Sequence, residues 1–253
     1  MVVLATKVYV QGDARDRALD ALRSLVGNAV GDLDVEYTVG VRHDDFASVT
    51  LEGEDEVVAR NLLREEWGEI TPDFESRGTE ERRNGDGETV DAGETYVGTL
   101  EAWDEEGFVL DAGEEVRIPA SELGLGQGTP IQIVERFGLV QHMPLRFVYG
   151  DPNGTDEGGD ESGGEDEPHR LADAERDRLY DWTRGSGRVN VNSATRGEVR
   201  ATVNRAGHAR DIVTVERLGL LEQSIVCTDE TDPPGLLAAI GDYLPAEIRC
   251  VIP

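Results

Sequence analysis

The chain has 253 residues and a formal net charge of −29, from 53 Asp and Glu against 24 Lys and Arg. Among these basic residues the only lysine is Lys7. No apolar run approaches the roughly 20 residues that span a bilayer, and the first ten residues lack the length and cleavage pattern of a signal peptide. The sequence therefore predicts a cytoplasmic protein without a membrane segment.

The acidic, lysine-poor composition resembles that of proteins from salt-accumulating haloarchaea. Carboxylates keep a protein surface hydrated where salt is concentrated. Because the Debye length falls to about 3 Å in molar salt, the net charge repels little at a distance. The acidity therefore does not exclude a nucleic-acid partner, but it requires that such a partner be held by close contacts with arginines.

Residues 1–72 predict an α+β domain of the ferredoxin-like type. Alternating polarity predicts strands at 6–10, 34–41 and 46–51. Apolar residues at helical spacing predict a helix from Asp13 that ends at Gly27 or Gly31, and a second helix over 54–67. The resulting β-α-β-β-α order is most of a split βαβ unit, which a strand near 69–71 would close. The charged segment 73–94 follows and is predicted to be a linker.

Residues 95–150 predict a small β-barrel. Five short runs have strand character, and this number of strands over about sixty residues is typical of a closed barrel of the OB type. The predicted strands are 95–103, 107–111, 115–118, 130–134 and 144–148.

The order of glycines and apolar residues in this region resembles the S1 class of OB-folds. The residues that carry the resemblance are Gly98, Gly107, Phe108, Val109, Ser121, Glu122, Leu123 and Gly128. The resemblance implies binding of single-stranded RNA through stacked aromatics and basic residues. The chain departs from the pattern at Pro119 and Ala120, where the class often has a histidine.

The run ERFGLVQHMPLRF supplies the ligand-facing candidates of the predicted barrel, because it is more apolar and richer in arginine than the rest. These candidates are Phe137, His142 and Arg146. The alternative is a structural or protein-docking barrel in which Phe108 belongs to the core.

A second acidic segment, residues 151–169, combines carboxylates and glycines without Lys or Arg and predicts a flexible linker. Residues 170–253 then predict a second ferredoxin-like domain in the complete β-α-β-β-α-β order. An additional amphipathic helix is predicted over 170–184. The strands are predicted at 188–191, 212–216, 223–227 and 247–252, with helices after Thr195 and over 233–244.

An arginine cluster follows the Thr-x-x-Glu capping box formed by Thr195 and Glu198. At about 100° per residue, Arg196 and Arg200 share one flank of the helix, whereas Arg205 faces the other way. Beyond the helix, the turn that contains His208 and Arg210 is a candidate phosphate contact. The alternative for this turn is a salt-bridged loop that caps the helix. Arg196, Arg200, His208 and Arg210 are therefore the candidate nucleic-acid-binding residues of this domain.

No motif indicates catalysis, a metal or a cofactor. Cys227 and Cys250 and the four histidines fit no metal-ligand spacing. The sequence has no phosphate-binding glycine-rich loop and no nucleophile elbow. We therefore expect a protein without enzymatic activity, metal or cofactor.

Several runs, among them TRGEV, GHARDIV, VERLGLLE, RIPASELG and ERFGLVQHMPL, resemble an archaeal family of uncharacterised proteins defined as a domain of unknown function. This resemblance implies an archaeal cytoplasmic protein and supplies no activity. With the S1-like region and the arginine cluster, it leads us to expect a non-catalytic RNA-binding protein linked to translation or RNA processing. The alternative is a regulatory or adaptor protein that contacts other proteins or a small effector.

Overall fold

The computed structural model describes residues 1–70, 93–150, 168–244 and 246–253. Within these residues the protein is a mixed α+β structure with three sheets and six α-helices. The linkers predicted at 73–94 and 151–169 lie almost entirely outside the described residues. No helix in the described part of the chain is both long and apolar enough to cross a membrane.

The N-terminal unit is an antiparallel sheet with two helices packed on one face. The sheet order is β1-β3-β2, and Glu69 bridges Leu4 on the free side of β1. The two helices cover the face that carries Leu4 and Val49. The elements are β1 (Val2–Lys7), α1 (Asp13–Val30), β2 (Val35–Val41), β3 (Phe46–Gly53) and α2 (Glu56–Trp67).

One prediction for this unit is corrected, and one is narrowed. The first strand covers Val2–Lys7 instead of 6–10, and it is buried along its whole length. Helix α1 continues through Gly27 to Val30 and is capped by Gly31, the second of the two predicted ends. The lack of a side chain at Gly27 lets the helix approach Tyr37. A Cβ at position 27 would lie 2.5 Å from the Tyr37 hydroxyl.

The central unit is a five-stranded antiparallel sheet in the order β6-β5-β4-β7-β8. The two outer strands contact each other, so the sheet curls into a half-barrel. One apolar core fills it, with Phe108 fully buried. The elements are β4 (Thr95–Trp103), β5 (Gly107–Asp111), β6 (Glu115–Pro119), a 3-10 turn (Ala120–Glu122), α3 (Pro130–Phe137), β7 (Pro144–Val148), β8 (Arg170–Leu171) and α4 (Asp173–Trp182).

The predicted strand at 130–134 is wrong, because the segment forms helix α3. The Thr129 side chain accepts from the Gln132 backbone, the Gln132 side chain accepts from the Thr129 backbone, and Pro130 occupies the first turn. Gly138 ends the helix in the left-handed conformation at φ 57°. The helix predicted over 170–184 is also corrected, since Arg170–Leu171 pairs with β7 and the helix begins only at Asp173.

The C-terminal unit is an antiparallel sheet in the order β10-β11-β9-β12. The capping box of Thr195 and Glu198 is present as predicted and starts α5. Helices α5 and α6 cover one face of the sheet with an apolar core. The elements are β9 (Arg188–Val191), α5 (Arg196–Arg205), β10 (Ile212–Arg217), β11 (Gln223–Cys227), α6 (Pro233–Gly241) and β12 (Ile248–Val251).

The three units contact one another through their sheets. Val97 of β4 packs against Phe46 and Ile70 on the helix-free face of the N-terminal sheet. Val251 of β12 belongs to the core of the central unit, and Asn190 of β9 donates to the Gly138 carbonyl at 2.8 Å. These contacts bring charged residues that are far apart in the sequence into shared sites.

Candidate anion-binding cleft and buried junction

An open cleft of about 570 Å³ lies between α4 of the central unit and strands β9 and β10 of the C-terminal unit. Its walls carry four arginines, two carboxylates and one tryptophan. A cavity of this size is in the range of small-molecule sites. We call it the arginine cleft. Its charged and aromatic lining residues are Arg178, Arg188, Arg196, Arg217, Asp181, Glu216 and Trp182.

Trp182 supports two of the four arginines. The guanidinium carbons of Arg178 and Arg188 lie 5.2 Å and 5.4 Å from the centre of its ring. The indole itself is buried in the central core, so it offers no free face to a ligand. The ring therefore holds two flat guanidinium groups at the wall of the cleft.

Three of the four arginines are already paired with carboxylates of the chain. Arg178 contacts the fully buried Glu175, and Arg188 contacts Glu216. Arg217 contacts Glu66 of the N-terminal unit and stacks over Trp67, with its guanidinium carbon 4.4 Å from the ring centre. A ligand that uses these arginines must share them with these carboxylates.

Arg196 differs from the other three cleft arginines. It is the first residue of α5 and is exposed. Among the described residues no carboxylate forms an ion pair with it. The helix places this unsatisfied positive charge at the mouth of the arginine cleft, where it can meet an anion without displacing an internal partner.

The other candidates of the C-terminal unit lie elsewhere. Arg200 is exposed one turn further along α5. His208 and Arg210 lie beyond the opposite end of this ten-residue helix, which is about 15 Å long. The His208 Nδ1 atom is 2.6 Å from the Asp211 carboxylate. The structure thus gives the turn a local contact between His208 and Asp211 and separates it from the arginine cleft.

The three candidates of the central unit lie in three different places. Phe137 is fully buried and packs edge-on against Tyr180, with ring centres 5.5 Å apart, so it is a core residue. Arg146 is half-exposed on β7, and its guanidinium is 3.5 Å from the Glu175 carboxylate. His142 lies in neither place. It belongs to a partly buried cluster where the three units meet.

This cluster is centred on Lys7, the single lysine of the chain. Its Nζ atom donates to Glu101 at 2.9 Å and to Asp111 at 2.7 Å, and only 9% of the side chain is exposed. The Nδ1 atom of His142 is 3.1 Å from the Glu101 carboxylate. The His142 ring also lies against Tyr9, with ring centres 4.0 Å apart.

Tyr9 extends the cluster into the C-terminal unit. Its hydroxyl donates to Glu222 at 2.7 Å and accepts from the Ser193 amide at 2.9 Å. Glu222 is fully buried, and its second carboxylate oxygen has no hydrogen-bond partner among the described residues. We call the set of Lys7, Tyr9, Glu101, Asp111, His142 and Glu222 the junction cluster.

The environment shifts the protonation of these groups in different directions. Burial raises the pKa of Glu222 to about 8, against the hydrogen bond from Tyr9. Burial also raises the pKa of Glu101, but hydrogen bonds from His142, Lys7 and Thr99 outweigh it and bring the pKa to about 2. The pKa of Lys7 is raised, because its bonds to Asp111 and Glu101 outweigh the effect of burial. Burial raises the pKa of Tyr9 well above its usual range.

Sequence reasoning missed most of both sites. Arg178, Trp182 and Arg188 come together only when α4 packs beside the C-terminal sheet. The partners Lys7 and Glu101 are 94 positions apart, and Tyr9 and Glu222 are 213 positions apart. The available signal was the presence of one lysine in a chain that otherwise uses arginine.

Metal and thiol chemistry have little support in the described residues. No group of three or more His, Cys, Asp or Glu side chains there is placed to hold a metal ion. Both cysteines are free thiols. Cys227 is buried and Cys250 is half-buried, and burial raises the pKa of Cys227 to about 11.

Comparison with known proteins identifies the family of this chain. No curated protein and no solved structure matches the chain. Three family models match it in succession, and together they cover most of its length. They are the DUF2110 N-terminal domain over residues 1–73, the DUF2110 central domain over 90–183 and the DUF2110 C-terminal domain over 186–252. The chain therefore belongs to the DUF2110 family.

Proposed function

We propose that this protein binds single-stranded RNA in the arginine cleft without catalysing a reaction on it. The observation that carries the proposal is the presence of four arginines around one open cleft in a chain of net charge −29. Guanidinium groups pair with phosphate and also stack on unpaired bases. The cleft volume of about 570 Å³ suits one or two nucleotides better than a duplex.

The fold assignments that we propose agree with this function. The strand orders of the two terminal units favour ferredoxin-like domains. The curled five-stranded central sheet favours an S1-like OB barrel. Its core uses both Phe108 and Phe137, so the arginine cleft, and not aromatic residues of the barrel, supplies the ligand contacts. We place the protein in the cytoplasm of a salt-accumulating archaeon, in translation or RNA processing.

The test measures binding of a short, labelled, random-sequence RNA by fluorescence anisotropy, between about 0.1 and 1 M KCl. We expect Arg196→Glu to weaken binding about tenfold or more. Arg205→Glu is the matched control, because it changes the same charge on an exposed position of the same helix. Equal losses in both variants, or no binding by the natural chain, would contradict the proposal.

A second candidate function is that of an adaptor protein. Three apolar side chains are exposed on α2. Val57 is 71% exposed, Val58 48% and Leu62 39%, whereas the helix buries Ala59, Leu63 and Trp67. Affinity purification at high salt distinguishes the two functions. Stoichiometric protein without RNA, lost in Val58→Ser plus Leu62→Ser, would favour the adaptor.

A further inference from the structure

The connection between β10 and β11, residues 218–222, joins the arginine cleft to the N-terminal unit. At its start Arg217 and Leu218 line the cleft. At its tip Leu220 and Leu221 are buried in the core of the N-terminal unit, although they belong to the C-terminal unit by sequence. One short connection therefore takes part in two separate sites.

The N-terminal unit contacts this connection at its tip and at its start. At the tip, the Leu220 amide donates to the buried Thr6 hydroxyl at 3.0 Å, and Glu222 accepts from Tyr9 at 2.7 Å. At the start, Arg217 pairs with Glu66 and stacks on Trp67, both of α2. The same arginine therefore serves the cleft and the contact between units.

We propose that a phosphate of the RNA bound in the arginine cleft competes with Glu66 for Arg217 and thereby loosens the N-terminal unit from the connection. This inference rests on the proposed function. A guanidinium that forms a two-pronged pair with a phosphate cannot donate the same N–H bonds fully to a carboxylate. Because linkage is reciprocal, a substitution at Glu66 that weakens its pair with Arg217 should also strengthen RNA binding.

Of the three paired arginines of the cleft, Arg217 is the one whose carboxylate partner belongs to another unit. Glu175 is fully buried behind Arg178 and also contacts Arg146, so it has little freedom to leave. The Glu66 side chain is 35% exposed and can turn into solvent at small cost. The Glu216 side chain, which pairs with Arg188, is 45% exposed and is equally free to move, but both residues of that pair belong to the C-terminal unit. Exchange at Arg217 is therefore the one that acts on the contact between units.

The experiment compares Glu66→Gln with Glu65→Gln in the full chain. The two substitutions remove the same charge from adjacent exposed positions of α2, and in the described part of the chain Glu65 has no ion-pair partner. We expect Glu66→Gln to tighten binding of the labelled RNA by about fivefold, the lower end of typical couplings between sites. We expect Glu65→Gln to change the RNA affinity only through the loss of one negative charge from the chain, and therefore less than Glu66→Gln.

Hydrogen exchange followed by mass spectrometry gives a second readout at the tip of the connection. RNA should speed exchange of the Leu220 amide in the natural chain, and Glu66→Gln should speed it without RNA. If the natural chain binds RNA but the two variants agree in affinity and in exchange, the coupling is overturned and the proposed function stands. If the natural chain binds no RNA, the proposed function is overturned, and the coupling that rests on it falls too.

Discussion

The arginine cleft and the junction cluster use the same chemical groups for different purposes. Each combines cations, carboxylates and an aromatic ring at a contact between units. In the junction cluster, Lys7 is nearly buried and two carboxylates accept its hydrogen bonds. In the arginine cleft, Arg196 is exposed at the mouth and has no carboxylate partner in the described residues. The first arrangement is closed to a ligand, and the second is open to one.

The difference shows that residue type alone does not identify a binding site in so acidic a chain. A buried ion pair rarely adds net stability, but removal of one partner leaves an uncompensated charge and is costly. An exposed, unpaired arginine costs little to remove and is available to an anion. Substitutions in the junction cluster should therefore change stability, and substitutions at the mouth of the cleft should change binding.

The largest effect is expected for Lys7→Met. The substitution leaves Glu101 and Asp111 without their shared cation in a partly buried place, and such losses cost about 3–5 kcal/mol. The free energy of unfolding from urea titration is the measurement. Arg184→Ala is the control, since it breaks an ion pair with Asp181 in which both side chains are more than 70% exposed. We expect the control to lose less than about 1 kcal/mol. A similar loss in both variants would show that burial of the Lys7 pairs has no special effect on stability.

The next largest effect is expected for Glu222→Gln, which should change how the free energy of unfolding depends on pH. The carboxyl has a pKa of about 8 when folded, against a reference of 4.5. Its pKa is thus raised on folding, so the folded protein keeps a proton that the unfolded chain loses. The protonated Glu222 carboxyl therefore contributes its full stabilisation of the folded state below about pH 4.5, and this stabilisation is lost as the pH rises towards 8. Glutamine mimics the protonated form, so the variant should be more stable than the natural chain at neutral pH, by about 3 kcal/mol at pH 7.

Urea titrations at several pH values test this expectation. The advantage of Glu222→Gln should vanish near pH 4 and grow up to pH 8. Glu101→Gln is a control of opposite sign, because the pKa of Glu101 is lowered to about 2 and its charged form is the one stabilised by folding. It should destabilise the protein at neutral pH. A pH-independent difference for Glu222→Gln would show that the buried carboxyl does not hold its proton.

Local signals in the sequence were sufficient for much of the fold. The β-α-β-β-α-β order of the C-terminal unit and the capping box of Thr195 and Glu198 could be predicted because they depend on neighbours in the chain. The strand predicted at 130–134 failed because a short apolar run fits a buried strand as well as a helix. The Thr129 and Gln132 pair, with Pro130 between them, would have resolved it.

The sites depend on contacts that no local pattern records. Arg170–Leu171 reads as the start of a helix, yet it pairs with β7 across a long segment of the chain. Phe137 was predicted to face a ligand, but helix α3 directs its side chain into the core. Arg196 could be named as a candidate because helical spacing and local charge mark it. Its cleft could not be found, since the other wall comes from α4 of a different unit.

A smaller effect on stability, with a clear effect on binding, is expected for Arg196→Ala. The exposed side chain has no ion pair to lose among the described residues. The free energy of unfolding should therefore change by less than about 0.5 kcal/mol. In RNA titrations the slope of log affinity against log salt should become shallower by about 0.7, the value for one phosphate contact on a single strand. A loss of stability as large as that of Lys7→Met would show that Arg196 stabilises the fold and would contradict its assignment as a free ligand contact.

The smallest effect is expected for Arg210→Glu, which separates the arginine cleft from mere local positive charge. Arg210 and Arg196 are both exposed arginines of the same unit, but they lie at opposite ends of α5. If binding depends on the cleft, Arg210→Glu should weaken RNA binding less than about twofold at molar salt, where the Debye length is about 3 Å. If its effect equals that of Arg196→Glu under these conditions, the two ends of the helix act alike. The RNA would then follow the charged surface of α5, and the walls of the cleft would have no special part in holding it.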